Sequence, residues 1–114
     1  MITLYAEEFP HAIIIHINGT LTLEHLKEAE EVWNEQLDKR PGVLAFDFRG
    51  VLDIDSISMN HIFKLTKTAA EKNVKLIIFD ASEQHKKIFE ILRLDRVVTM
   101  MSGRQLYDEY IKEP

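Results

Sequence analysis

The chain has 114 residues, of which 46% are hydrophobic and 29% charged, the composition of an ordinary folded protein about one domain in size. Its formal net charge of −5 argues against nucleic acid or an anionic membrane as partner, because binding phosphate groups requires concentrated Lys and Arg. There is no cysteine, so disulfides, thiol catalysis and cysteine-based zinc sites are excluded.

The sequence carries no signal for a membrane-spanning segment or a metal-binding site. Its first residues lack a basic stretch followed by an apolar core, and no apolar run approaches the roughly 18 residues of a membrane span. The five histidines show no spacing that would place two of them beside a pair of carboxylates. We therefore expect a cytoplasmic protein with no membrane insertion, no metal, no cofactor and a single domain over residues 1–114.

The first third of the chain predicts a hairpin followed by a helix. Ile2–Glu8 alternates weakly between apolar and polar residues and His11–Asn18 is rich in isoleucine, so both segments predict strands. Gly19-Thr20-Leu21-Thr22 predicts a break in the second strand, with Thr22 as a helix N-cap. The apolar face of this first helix is made of Leu23, Leu26, Ala29, Trp33 and Leu37.

A third strand and a second helix follow. The apolar run Val43–Phe48 predicts a strand that ends at Arg49-Gly50, and a helix begins near Asp55 or Ser56 and stops near Asn73. Apolar and small residues at helical spacing predict the buried stripe of this helix, which is Met59, Ile62, Phe63, Thr66, Ala69 and Ala70.

The remaining elements continue the alternation of strand and helix. Val74–Phe79 predicts a fourth strand, Ser82 caps a third helix and Val97–Met101 predicts a fifth strand. A last helix contains Leu106, Tyr107, Tyr110 and Ile111, and we expect Tyr107 and Tyr110 to lie on its buried side. After the hairpin, this order consists of successive βαβ units, which favour parallel strands and right-handed crossovers. The sequence therefore predicts an α/β fold with a mixed, mostly parallel sheet of about five strands and about four helices.

The junction between the third strand and the second helix stands out. Successive residues of an α-helix are rotated by 100°, so Ser56 and Ser58 fall on the two flanks of the buried stripe and Ile57 faces outward. His61 and Lys64 share that outward face with Ile57. One interpretation is an ordinary solvated face with a helix-capping serine and a single exposed isoleucine. The other is a contact surface anchored by Ile57.

This junction resembles the signature of the STAS family, the bacterial anti-sigma factor antagonists, in which a strand leads into Asp-Ser-Ser-Gly or Asp-Ser-Thr-Gly at a helix start. Asp55 and Ser56 match, whereas Ile57 stands where the family has its phosphorylated Ser or Thr and Ser58 where it has glycine. Two further segments are similar to the family and extend the resemblance over nearly the whole chain: Gly19-Thr20-Leu21, and residues 91–98 with Arg93 at a glycine position.

The resemblance implies a STAS fold and a protein-binding regulator that is not an enzyme. It implies an anti-sigma factor of the Ser/Thr kinase type as partner, with a phosphatase and a second copy of this chain as further candidates. Ser56 and Ser58 are the candidate phosphoacceptors, unless the protein binds without a phosphorylation switch. The implied contact residues are Asp55, Ser56, Ile57, Ser58, His61 and Lys64 with the loop Gly19, Thr20 and Leu21. The alternative is a STAS accessory subunit of a larger assembly, such as a lipid-transport complex or a stress-signalling scaffold.

Other uses of the acidic pair Asp53 and Asp55 fit poorly. An Asp-x-Asp after an apolar strand is typical of haloacid-dehalogenase-type phosphatases, but the chain is too short for that fold with its supporting lysine and second acidic pair. A calcium loop also fails, because the tight glycine and the terminal glutamate are absent from the required positions. We therefore expect Asp55 to cap the helix or to orient the adjacent serine.

Overall fold

The computed structural model describes residues 1–112, which form five strands and four α-helices. The strands are β1 (Ile2–Glu8), β2 (Ala12–Leu21), β3 (Val43–Ile54), β4 (Lys75–Phe79) and β5 (Thr99–Met101). The helices are α1 (Leu26–Asp38), α2 (Ser56–Glu71), α3 (Glu83–Ile91) and α4 (Gly103–Leu106). Short 3-10 turns precede α1 at Leu23–His25 and β5 at Leu94–Arg96, and α4 continues as a π-helix over Tyr107–Ile111.

The strands form one sheet in which their spatial order is their order in the chain. The edge strand β1 runs antiparallel to β2, and β2, β3, β4 and β5 are mutually parallel neighbours. The prediction of an α/β fold with a mixed, mostly parallel sheet of five strands and four helices is confirmed. Each parallel pair is joined by one helix, as a βαβ crossover requires.

The two faces of the sheet are covered differently. Helices α1, α2 and α3 pack on one face over the larger core, in which Trp33 stacks on Phe46 and Phe48 packs against Phe89. The opposite face has a smaller core over which only the C-terminal helix lies, through Leu106 and its neighbours. Within residues 1–112 no residue of β1 belongs to this smaller core, and Tyr5 and Glu7 of β1 are exposed.

Strands β2 and β3 are longer than the sequence predicts. Gly19-Thr20-Leu21 is not a loop but the end of β2, where it pairs with Val51 and residues 53–54 of β3, and Arg49-Gly50 lies inside β3. The pairing register shifts twice along this pair, and such bulges hold glycines and polar residues inside strands. Gly19 has φ of +110°, and a side-chain carbon there would lie 2.1 Å from the Met1 carbonyl oxygen. Gly19 is therefore a point where the backbone of β2 lies close to that of Met1, and it does not end the strand.

Helix positions differ from the prediction in three places. Leu23 lies in the 3-10 turn and is 57% exposed, so it does not belong to the buried face of α1. The buried stripe of α2 is rotated, because Leu65 and Ser58 are buried whereas Ala70 is exposed. Tyr107 is also exposed on the C-terminal helix. The Ser82 cap of α3 is confirmed by a 3.1 Å hydrogen bond from the His85 N–H to the Ser82 hydroxyl.

Candidate functional site

Asp55 connects two helix starts at the carboxyl end of β3. It has extended backbone angles and is the N-cap of α2, where its Oδ1 accepts a hydrogen bond from the Ser58 N–H at 2.8 Å. Its Oδ2 accepts a second bond, also 2.8 Å, from the N–H of Leu23 in the 3-10 turn before α1. Thr22, which the sequence predicts as the cap of that turn, makes no side-chain capping bond. One carboxylate therefore fixes the start of α2 against the start of the first helical segment.

The environment of Asp55 favours its ionised form. Burial would raise the pKa of this carboxyl, but the hydrogen bonds from the backbone of Ser58 and Leu23 outweigh burial and hold the pKa below its ordinary value. A carboxylate is also well placed here because the first turn of a helix presents free N–H groups and the positive end of its dipole. Asp55 is thus a structural cap, and each of its two carboxylate oxygens accepts one backbone hydrogen bond.

The three residues after Asp55 have different exposure. Ser56 is exposed, and Ile57 is 43% exposed on the outer side of the first turn, as the helical spacing predicts. Ser58 is not on an accessible flank: its side chain is fully buried, and its hydroxyl has no hydrogen-bond partner within residues 1–112. The prediction failed for Ser58 because the buried stripe of α2 is rotated toward it. A kinase could therefore reach Ser56 in this conformation but not Ser58.

Two further apolar side chains close to Asp55 in the chain or in space are exposed. Leu23, whose backbone binds Asp55, and Leu52, which is 78% exposed, were not identified from the sequence as contact residues. Leu52 is the extra residue of the second bulge, because Gly19 pairs with Val51 and Thr20 pairs with Asp53. No sequence signal distinguishes Leu52, because Val51 and Leu52 are both apolar and only the bulge makes Val51 buried and Leu52 exposed. We call Leu23, Leu52 and Ile57 the apolar triad.

The remaining predicted contact residues on α2 differ in exposure. Lys64 is exposed, whereas His61 is half-buried and its Nδ1 lies 3.0 Å from Glu30 Oε1, so it joins α2 to α1. Between these helices lies a groove of about 450 Å³, and its walls include Leu23, Leu26, Glu30 and His61.

Gly19 and Thr20 are half-buried at the end of β2. Leu21 is fully buried and offers a partner no side-chain surface, although the sequence places it among the contact residues. The prediction failed there because it interpreted the strand end as a loop. The described part of the chain also holds no group of three or more His, Asp or Glu side chains arranged for a metal ion. None of the helices in residues 1–112 combines the length and hydropathy needed to cross a bilayer.

Comparison with known proteins places this geometry in a family. A sequence model of the STAS domain matches residues 3–108, whereas a search of curated protein sequences gives no significant match. A Thermotoga maritima protein described as an anti-sigma factor antagonist has a similar solved structure, with a TM-score of 0.84 at 19% identity over 96% of this chain and 95% of its own.

Two further solved structures share the fold. An anti-sigma factor antagonist of Mycobacterium paratuberculosis gives a TM-score of 0.69 at 13% identity, over 89% of this chain and 86% of its own. The Bacillus cell-fate determinant SpoIIAA in its phosphorylated form gives a TM-score of 0.70 at 12% identity, over 93% of this chain and 97% of its own. Together with the match over residues 3–108, the sheet order and the capped start of α2 show that this chain belongs to the STAS domain family.

Proposed function

We propose that this protein is an anti-sigma factor antagonist that acts by binding, and that it captures a kinase-type anti-sigma factor through the start of α2. The observation that carries the proposal is the exposed Ile57, held in the first turn of α2 by the Asp55 cap. Support comes from the similar structures, several of which are described as anti-sigma factor antagonists.

The composition of the surface suits a protein partner. An apolar centre surrounded by polar side chains is a common arrangement for a binding patch, because the centre loses its water while the edge gives specificity. We assign the exposed side chains of the apolar triad to the centre, and Ser56 and Lys64 are exposed polar residues of α2. The Asp55 carboxylate holds Leu23 and the first turn of α2 in one arrangement before binding, which reduces the entropy lost on association.

Ser56 is the residue that we propose for a phosphorylation switch. It is exposed and is the first residue of α2, whereas the Ser58 hydroxyl is buried. A phosphate on Ser56 would add nearly two negative charges at a helix start, where the dipole favours an anion, but beside the Asp55 carboxylate and next to Ile57. It would therefore weaken partner binding mainly by covering and hydrating the apolar triad.

The second candidate is an unswitched STAS accessory subunit of a larger assembly, such as a lipid-transport complex or a stress-signalling scaffold. The observation that favours it is that Ile57 cannot accept a phosphate and Ser58 is out of reach. Intact-mass measurement separates the candidates after incubation with the kinase-type anti-sigma factor from the same genome and ATP. We expect one added phosphate, lost in Ser56→Ala and kept in Ser58→Ala. No added phosphate on the wild type would favour the accessory subunit.

The docking surface is tested by Ile57→Asp. The side chain faces outward and an acid suits the first turn of a helix, so the variant should keep the wild-type Tm but lose capture of the anti-sigma factor in a pull-down. Ile91→Asp is a matched control, because Ile91 is 78% exposed at the end of α3. We expect this control to bind normally. Wild-type capture by Ile57→Asp would place the contact surface elsewhere.

A further inference from the structure

A cleft of about 350 Å³ lies on the opposite face of the sheet from α2, between the C-terminal helix and the edge strand β1. Its apolar walls come from the β1–β2 turn, the sheet and the C-terminal helix, and they consist of Phe9, Ile14, Phe79, Leu106 and Ile111. The C-terminal helix lines the cleft with both its α-helical part and the π-helix that follows, and π-helical segments are found frequently at functional sites. The volume falls at the lower end of the range for small-molecule sites, about 300–1,000 Å³.

The polar end of the cleft is a network that ties three strands together. His16 on β2 lies between two carboxylates, with Nδ1 2.7 Å from Asp47 Oδ2 and Nε2 2.9 Å from Glu7 Oε1. Tyr5 stacks on the His16 ring with centroids 4.6 Å apart. Arg49 donates Nε to Asp47 Oδ1 at 3.0 Å and Nη2 to Asp47 Oδ2 at 2.8 Å. The buried Asp47 is thereby satisfied, and it uses two of the five N–H donors of Arg49, whose Nε also lies 3.9 Å from Asp80 Oδ2.

The arginine N–H donors at the polar end of the cleft suit an anion. Arg49 uses only part of its five N–H donors on Asp47, and its side chain is 64% exposed. Arg104 is exposed on the first turn of the C-terminal helix and lines the same cleft. The acidic groups at this end have partners of their own, because Glu7 pairs with His16, Asp80 Oδ1 accepts the Gly103 N–H at 2.9 Å, and Asp80 Oδ2 lies 3.9 Å from Arg49 Nε.

We propose that this cleft binds a small anionic amphiphile, with its carboxylate or phosphate head between Arg49 and Arg104 and its apolar body along Ile14, Leu106 and Ile111. Guanidinium groups match such heads with paired donors, and the apolar walls exclude water from the body of the ligand. The ligand is a free molecule and not part of a bilayer, because the chain carries a net charge of −5 and would be repelled by an anionic membrane.

Decanoate is the probe for the test, compared with 1-decanol and decylammonium below their micelle concentrations. Decanoate should raise the Tm saturably, and its binding should shift the amide NMR signals of Gly103 and Leu106. Decanol and decylammonium should bind at least about tenfold more weakly, because each lacks the charge that the guanidinium groups recognise. Equal binding of decanol and decanoate, or no binding of decanoate, would overturn the proposal.

Variants locate the head group and separate this site from the docking surface. Arg104→Gln should weaken decanoate binding by about tenfold, whereas Arg96→Gln, on an exposed arginine outside the cleft lining, should leave it unchanged. Wild-type affinity in Arg104→Gln would overturn the assignment. Ile57→Asp should bind decanoate normally, so the outcome is independent of the anti-sigma factor proposal. Co-sedimentation with phosphatidylglycerol vesicles should leave the protein in solution; pelleting would show that a bilayer is the source.

Discussion

The Asp55 carboxylate should stabilise this fold about twice as much as an ordinary helix cap. Its two oxygens accept one backbone N–H each, from Ser58 and from Leu23, at 2.8 Å. Loss of one cap costs about 1 kcal/mol and charge-assisted bonds are stronger than neutral ones, so Asp55→Ala should lower the free energy of unfolding by about 2–3 kcal/mol. Ser82→Ala removes a single neutral cap, the bond to the His85 N–H, and should cost about 1 kcal/mol.

Thermal and urea unfolding of both variants measure the difference. A chain of 114 residues has an unfolding entropy of about 0.24 kcal/mol/K near its Tm. Asp55→Ala should therefore lower the Tm by about 10 °C and Ser82→Ala by about 4 °C. If Asp55→Ala costs no more than Ser82→Ala, the bond from Leu23 contributes nothing and the reasoning is refuted.

The same carboxylate gives a pH test with a definite sign. Burial raises the pKa of Asp55, but its N–H donors outweigh burial, so its folded pKa lies below the ordinary 3.8. A depressed folded pKa means that the stabilisation is present above about pH 4 and is lost as the pH falls through the folded pKa. Asp55→Asn cannot titrate, so the gap in unfolding free energy between it and the wild type should narrow below about pH 4. A gap that stays constant there would contradict this assignment.

Two further predictions concern buried polar groups. Ser58→Ala should change the free energy of unfolding by less than about 1 kcal/mol, because the buried hydroxyl has no partner in residues 1–112, whereas Ser58→Asp should cost more than about 3 kcal/mol. Urea unfolding measures both, and a wild-type stability for Ser58→Asp would show that the site opens readily. Burial lowers the pKa of His85, although the charge of Asp53 acts to raise it. As the pH drops below about 6.5, His85 is therefore protonated in the unfolded chain before it is protonated in the folded protein. The free energy of unfolding should fall over that range. His85→Leu should reduce this pH dependence, by at most about 1.4 kcal/mol per pH unit, and an unchanged slope between about pH 7 and 5.5 would contradict it.

The order of elements was predictable because it depends on local patterns. The isoleucine-rich β2, the apolar β4 and the Ser82 cap each carry a signal within a few residues. The ends of β2 and β3 were not predictable, since the bulges between these strands depend on pairing between residues about 30 positions apart. Gly19 and Gly50 therefore had the appearance of strand breaks, although both lie inside strands.

The candidate site was predictable in position but not in detail. The outward direction of Ile57 follows from helical geometry and is confirmed, whereas Ser58 is buried because packing of α2 on the sheet sets the rotation of the helix. The second bond of Asp55 depends on where the 3-10 turn before α1 meets the end of β3, and the exposure of Leu52 depends on the bulge between β2 and β3. The arginine-lined cleft depends on where the C-terminal helix lies on the sheet face across from β1, which no local pattern predicts.

The sequential order of the five strands has a consequence for how the protein acquires its structure. Every strand pairs with the strand before it, so each new crossover closes only the short loop that contains its own helix. Parallel pairs still join residues about 30 positions apart and form more slowly than local contacts, so we expect the β1–β2 hairpin to form before the crossovers. The cleft between β1 and the C-terminal helix is lined by residues of β1 and of the helix that follows β5, so it should be complete only after the crossovers between them have formed.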